Sequence, residues 1–349
     1  MKSIVFLIIA GLSWTSLYYF SQICLLLPKN NYHSIPENLN VQGVECQNPV
    51  DDCIDENADD LPVHLVRLYH AQPEPWKHSL CWTECLSLLS IMHFMQPRRI
   101  YLHTNFPDYW PFDTCENLIS NYSSLKIIST RRAFHTGGWR LHSWPSFIAH
   151  EADLVKLYAL QRYGGLALDF DVFVLPNITH ILRILKEYEC VISREADMKA
   201  NIGFIGCRKQ ARFIGDILHR YRTDYRPEWT YNSGDVPMLL YHADSGHRLN
   251  VYLDDETARN PNITERKLMW DRKGLVNWRA KPAYHSFYHN CSFSEADLPF
   301  SNTSLAELFT FIVDDSRKEV MERVKRILNI SGTVPPAVEP DGQLRVRLF

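Results

Sequence analysis

Asp169 and Asp171 stand two apart between the apolar segments Leu166-Ala167-Leu168 and Val172-Phe173-Val174-Leu175-Pro176. At a strand end, acids with this spacing point to one side and can face one ligand. Like charges so close repel, and their burial without a counter-charge is costly. A hard divalent cation relieves the conflict, because carboxylate oxygens suit Mg²⁺ or Mn²⁺. Such an ion can bridge to a diphosphate and take up the negative charge that forms as the diphosphate leaves. Transfer of a sugar from a nucleotide-sugar needs this chemistry. Asp-x-Asp by itself is common in solvated turns, so its context decides its weight.

That context is an α/β pattern. Val63–Tyr69, Arg99–Thr104 and Leu125–Ile128 read as short buried strands, and Leu80–Phe94 has helical spacing that stops before Pro97. Strands alternating with helices predict a mainly parallel sheet, with ligands beyond the carboxyl ends of its strands. Glu151–Tyr163 reads as a helix striped by Leu154, Leu157, Tyr158 and Gln161 and ended by Gly164-Gly165. Asp153 and Lys156 share one face of it. Asp315–Leu328 reads as an amphipathic helix opened by a Ser316/Glu319 capping box.

The 349 residues carry 37 basic and 40 acidic side chains, for a net charge of −3. This balance lacks the basic footprint of a nucleic-acid binder. Ser3–Leu27 holds no charged residue, a run long enough to span a bilayer core. An uncleaved anchor over 4–27 is the expectation, with a stub at 1–3. A cleaved signal peptide is the competing reading. Asn-x-Ser/Thr occurs at Asn121, Asn177, Asn262, Asn290, Asn302 and Asn329, which favours a lumenal body. Of nine cysteines, only Cys24 lies in the apolar run. The other eight read as disulfide formers, with Cys46 and Cys53 candidates for a loop in the stem. Cys81 and Cys85 have metal-like spacing but no matching second pair. Residues 28–61 read as an acidic stem, 62–330 as the folded domain and 331–349 as a loose tail.

The block from His150 through Asp153, Lys156, Tyr163-Gly164-Gly165 and Asp169-Phe170-Asp171 resembles the DXD signature of the family of lactosylceramide α-1,4-galactosyltransferases and α-1,4-N-acetylglucosaminyltransferases. Further pieces are Tyr101–Asn105, Asn201-Ile202-Gly203, Tyr231–Ser233, Arg259–Asn262, Trp278 and Ala283–Phe287, so the resemblance spans roughly residues 62–290. It implies a GT-A type nucleotide-sugar-binding domain, Mn²⁺ (or Mg²⁺) and retention of anomeric configuration. It implies that Asp171, Asp169 and His285 hold the metal, and that Asp153 acts with the two aspartates in catalysis. Asp153, Lys156, Gly165, Asn201 and His285 would bind the donor. The sequence departs from the family pattern at three positions. Lys156 stands for arginine, Ala167 for a tyrosine that would touch the donor, and Phe287 for tryptophan.

The expectation is a Golgi-type, single-pass type II membrane enzyme with a lumenal catalytic domain. It moves a hexose or N-acetylhexosamine from a UDP-sugar to a glycolipid or glycoprotein glycan. Alternatives are a catalytically silent sugar-binding protein on the same fold and a cell-surface adhesion module. No dinucleotide cradle, P-loop or Gly-x-Ser-x-Gly elbow competes. Trp139, Trp144, Trp229 and Trp270 are aromatic candidates for stacking on a ring, with core packing expected for most.

Overall fold

The computed structural model describes residues 61–119, 125–129, 148–195, 199–255, 263–287, 291 and 293–327. The apolar run, most of the stem, the Cys46/Cys53 pair, Trp139, Trp144, the Arg259–Asn262 piece and the tail lie outside them. So do the sequons at Asn121, Asn262, Asn290 and Asn329. Among the described residues no helix is long and apolar enough to cross a membrane. Asn177 and Asn302 are exposed.

Among the described residues seven strands form one sheet in the order β3-β2-β1-β4-β7-β6-β8. They are β1 (Val63–Arg67), β2 (Ile100–Thr104), β3 (Leu125–Ser129), β4 (Gly165–Leu168), β6 (Cys190–Arg194), β7 (Ala200–Cys207) and β8 (Val251–Asp254). The pairs β1–β2, β2–β3, β1–β4 and β6–β8 are parallel. β7 runs antiparallel to both β4 and β6, so the sheet is mixed. A separate ribbon pairs β5 (Val172–Val174) with β9 (Ala283–His285), antiparallel.

The helices that position the site are α1 (Trp82–Ser90), α2 (Ile148–Tyr163), α3 (Thr179–Glu187), α4 (Arg212–Thr223) and α5 (Ser304–Ile327). Alternation along β4 sends Leu166 and Leu168 to one face of the sheet and Ala167 to the other. Leu166 and Leu168 join a core with Leu86 of α1 and Phe309 of α5. Ala167 joins a second core with Leu154 and Leu157 of α2 and Phe213 and Ile217 of α4. Helices therefore cover both faces, which is why the strands read as continuous apolar runs.

Among the described residues two disulfides reinforce the body, and Cys81 and Cys291, expected to pair, are free thiols. Cys85–Cys115 fastens α1, and Cys190–Cys207 links a register pair of β6 and β7. Contrary to the expected capping box, Ser316 does not open the helix. α5 starts at Ser304, where Thr303 Oγ1 accepts the Ala306 N–H at 3.1 Å. Ser316 lies inside the helix and donates to the Val313 carbonyl. Leu305, Leu308, Phe309 and Ile312 are buried upstream of it, so the packed stripe, and with it the helix, begins three turns earlier.

Candidate active site

β1 is followed by β2 on one side of the sheet, whereas β3 returns through α2 to β4 on the other. The gap beyond the carboxyl ends of β1 and β4 is thus a topological switch point, where α/β sheets take ligands. A cavity of about 490 Å³ opens there. Arg67 from the end of β1 lines it, together with Asp169, Phe170 and Asp171.

Backbone bonds on three sides fix the aspartates. Asp169 N donates to the Gly203 carbonyl of β7 at 2.9 Å, and Val172 N closes a turn onto the Asp169 carbonyl at 3.1 Å. Ser286 N donates to the Asp171 carbonyl at 2.9 Å. Phe170, between the two acids, packs into the core with the Arg67 guanidinium 6.0 Å above its ring. The pair therefore converges through a tight turn anchored by Phe170, and not through the extended strand end expected from the spacing.

Pairing of Val172 with His285 across the β5–β9 ribbon brings the imidazole to the acids. His285 Nε2 lies 3.1 Å from Asp171 Oδ1. Asp169, Asp171 and His285 each offer a ligand atom, all within 4.8 Å of one another. Burial opposes protonation of His285, but the charge of Asp171 and its hydrogen bond outweigh it, and the pKa is raised. Phe287 stacks on the imidazole with ring centroids 4.0 Å apart.

α2 delivers the cation. Lys156 Nζ lies 2.5 Å from Asp169 Oδ1 and 3.2 Å from Asp153 Oδ1. Burial works against the charge on Lys156, but Asp169 and Asp153 hold its pKa above the usual range. Asp153 is shifted upward by burial, against the pull of Lys156. The two aspartates are therefore not the uncompensated pair expected from the spacing, because Lys156 meets Asp169 and His285 meets Asp171.

The residues nonetheless fit a divalent ion. Two carboxylates and an imidazole are a suitable donor set for Mn²⁺ or Mg²⁺. Gly203 keeps their meeting point open: a Cβ there would lie 2.6 Å from Asp169 Oδ2 and 2.8 Å from His285 Cε1. The side chain of Asp171 is buried while that of Asp169 is about one-third exposed, at 8% and 36%, so Asp169 opens toward the cavity.

Of the residues expected at the site, Asp153, Lys156, Asp169, Asp171, Asn201 and His285 all line this one cavity. Asn201 Oδ1 accepts the Gly203 N–H and its amide donates to Glu195, both at 2.6 Å. Gly165 does not line the cavity. Its φ is +102°, and a Cβ there would meet the Pro62 carbonyl oxygen at 2.1 Å, so its role is to let β4 pass Pro62. Ala167 is not on the cavity wall either. It is fully buried under α2, so alanine there removes no contact from the pocket. Trp229 and Trp270 are 62% and 39% exposed, not core residues. Trp229 lines the cavity, and its carbonyl lies 3.1 Å from His150 Nε2 while His150 Nδ1 bonds Tyr225 Oη at 2.9 Å.

Arg67, Cys81, Glu84 and Cys291 form a further part of the cavity wall; the sequence offered Cys81 and Cys291 only as disulfide formers, and Cys81 also by its spacing from Cys85, and it gave Arg67 and Glu84 no role. Arg67 Nη1 donates to Glu84 Oε1 at 2.6 Å. The signal for Arg67 was its position at the carboxyl end of a strand, whereas Glu84 belongs to no motif.

No curated protein sequence matches the chain. Among solved structures, a galactosyltransferase LgtC in complex with donor and acceptor sugar analogs is 15% identical, with a TM-score of 0.40 over 73% of this chain and 95% of that one. The WbbM bifunctional glycosyltransferase is 12% identical, with a TM-score of 0.43 over 80% of this chain and 52% of that one. Both likenesses are loose at these values. Residues 93–191, which run from just after α1 through the two aspartates into β6, match the family model described as glycosyltransferase sugar-binding region containing DXD motif.

Proposed function

We propose that this chain is a metal-dependent glycosyltransferase of GT-A type, using a nucleotide-sugar donor. The observation that carries the reading is the convergence of Asp169, Asp171 and His285 within 4.8 Å, inside a cavity at the switch point of the sheet. The family match over residues 93–191 supports it.

Asp169, Asp171 and His285 would hold the ion, Mn²⁺ or Mg²⁺, which when bound supplies positive charge to offset that of a departing diphosphate. The chain's own groups do the rest. Lys156 keeps Asp153 and Asp169 in place and is itself held charged by them. Asp153 presents a carboxylate able to accept hydrogen bonds from sugar hydroxyls. Phe287 and the exposed ring of Trp229 offer apolar faces to a sugar or a base.

The finer reading is a retaining enzyme of the Golgi membrane. It is type II, anchored by residues 4–27, and transfers a hexose or N-acetylhexosamine from a UDP-sugar to a glycolipid or glycoprotein glycan. The resemblance of the His150–Asp171 block supports the donor class and the retaining outcome. The charge-free run at 3–27 and the sequons support the topology. An anchor would raise the effective concentration of membrane-bound acceptors.

Purified protein, UDP, UDP-galactose and UDP-N-acetylglucosamine, with and without MnCl₂, test this reading. The expected result is a rise in melting temperature that needs both nucleotide and metal. Slow donor hydrolysis should accompany it and be lost on chelation. Asp171→Asn should lower that hydrolysis by about 100-fold or more, corresponding to about 3 kcal/mol of charge stabilisation. A chain that binds none of these nucleotides under any metal condition overturns the proposal.

One observation favours a second reading, a silent sugar-binding protein on the same fold. The Lys156 contact with Asp169 at 2.5 Å competes with a metal for that oxygen. This reading predicts nucleotide binding without turnover across the donor panel.

A further inference from the structure

The same cavity wall holds a second group of reactive side chains. Cys81, Glu84 and Cys291 each place one ligand-type atom within 4.8 Å of the others. The grouping suggests a cation site, but the carboxylate is already engaged on both oxygens. Glu84 Oε1 accepts from Arg67 Nη1 at 2.6 Å, and Oε2 accepts from the Cys81 backbone N–H at 2.9 Å. A cation bound there would sit beside a guanidinium and uncap α1, both of which are unfavourable. The thiols remain. Cys81 is half-buried and Cys291 exposed, so small oxidants can reach them. Cys85, Cys115, Cys190 and Cys207 are already paired, which leaves these two as each other's partners on this wall.

We infer that Cys81 and Cys291 form an oxidative modification site, a disulfide that ties the N-terminus of α1 to the segment following β9. The inference is independent of sugar chemistry. The oxidant is a small-molecule or protein disulfide. Desolvation of its sulfur, and then the hydrogen bond to the Cys81 thiol, push Cys291 up to about 12, which keeps Cys291 a neutral thiol near neutral pH and makes it the second to react. The Cys81 thiolate displaces one thiolate from the oxidant and forms a mixed disulfide. Cys291 then loses its proton and attacks the Cys81 sulfur, releasing the second thiolate. Two protein thiols become one disulfide, and one oxidant disulfide becomes two thiols. The bond would link two cysteines that both line the cavity.

Peptide mapping of the full chain tests the inference. The protein is reduced mildly, incubated with or without glutathione disulfide, denatured in acid, alkylated and digested. The expected product is a Cys81–Cys291 linked peptide that dithiothreitol removes, with alkylation of both cysteines falling about tenfold after oxidation. The Cys291→Ser chain should give no such peptide and should lose any oxidant-dependent rise in melting temperature seen in the wild type. Full alkylation of both thiols after oxidation overturns the inference. Pairing of either one with a different cysteine does so too, as does bound zinc that disappears in Cys81→Ser.

Discussion

Lys156 Nζ lies 2.5 Å from Asp169 Oδ1, so a buried ammonium from the middle of α2 is fastened to the first aspartate of the turn after β4. The same ammonium holds Asp153 one helical turn back at 3.2 Å. One cation thus sets the distance between a helix and a turn that form two sides of the cavity.

Replacing Lys156 by methionine leaves both acids without their partner. Breaking a buried pair on one side costs about 3 kcal/mol, because the remaining charge stays desolvated. The more open Asp169 keeps the figure at the low end. Lys156→Arg retains the charge and should lose much less. Urea unfolding of both variants measures the difference, and a methionine variant as stable as wild type would show that the ammonium contributes nothing to the fold.

Gly203 separates metal binding from folding. A methyl group there would press on Asn201, Asp169 and His285 side chains at 2.6 to 2.8 Å. These side chains can move aside, so Gly203→Ala should fold. Its ligand atoms would no longer converge, and Mn²⁺-dependent nucleotide stabilisation should fall by about tenfold or more in affinity. Thermal shift against a MnCl₂ series reads both quantities.

Gly165 gives the opposite pattern. At φ +102° with the Pro62 carbonyl where a Cβ would stand, Gly165→Ala is strained in backbone and in space. A loss of at least about 2 kcal/mol is expected. Whatever fraction remains folded should keep the nucleotide affinity of the wild type. A stable Gly165→Ala chain with weakened binding would instead place Gly165 in the site.

Acid should destabilise the body through a buried histidine pair. His64 Nδ1 lies 3.0 Å from His103 Nε2, and its Nε2 lies 2.9 Å from the Gly164 carbonyl. Burial lowers His64 from 6.5 to about 4, and His103 is lowered as well. Below pH 6.5 the unfolded chain takes up protons that the native pair refuses, so stability is full above 6.5 and falls toward 4. His64 alone contributes a loss of about 2 kcal/mol between pH 6.5 and 5. His285 is raised and acts in the other direction, its contribution fading as pH rises above 6.5. Urea midpoints from pH 7.5 to 5.0 should therefore decline toward acid, and a His64→Gln/His103→Gln variant should flatten the decline.

Much of this molecule is legible in its sequence because it is local. Apolar runs bounded by Pro97 and by Gly164-Gly165 mark β1, β2, α1, α2 and β4. The i,i+3 spacing alone puts Asp153 and Lys156 on one face. Burial on both sheet faces explains the continuous strands, and two separated acids after β4 identify the end of the sheet that matters. Tertiary pairing decided the rest. The antiparallel ribbon of β5 with β9 sets His285 beside Asp171, and the insertion of β7 next to β4 places Gly203 beneath Asp169. The packing of α1 near the end of β1 builds the wall of Arg67, Glu84 and Cys81. Those contacts join residues far apart in the chain. Their selection comes from which faces can be buried together and which backbone groups must be paired, and neither is written in the spacing of neighbours. For the same reason Gly165 and Ala167, adjacent to the motif in sequence, face Pro62 and the core instead of the cavity.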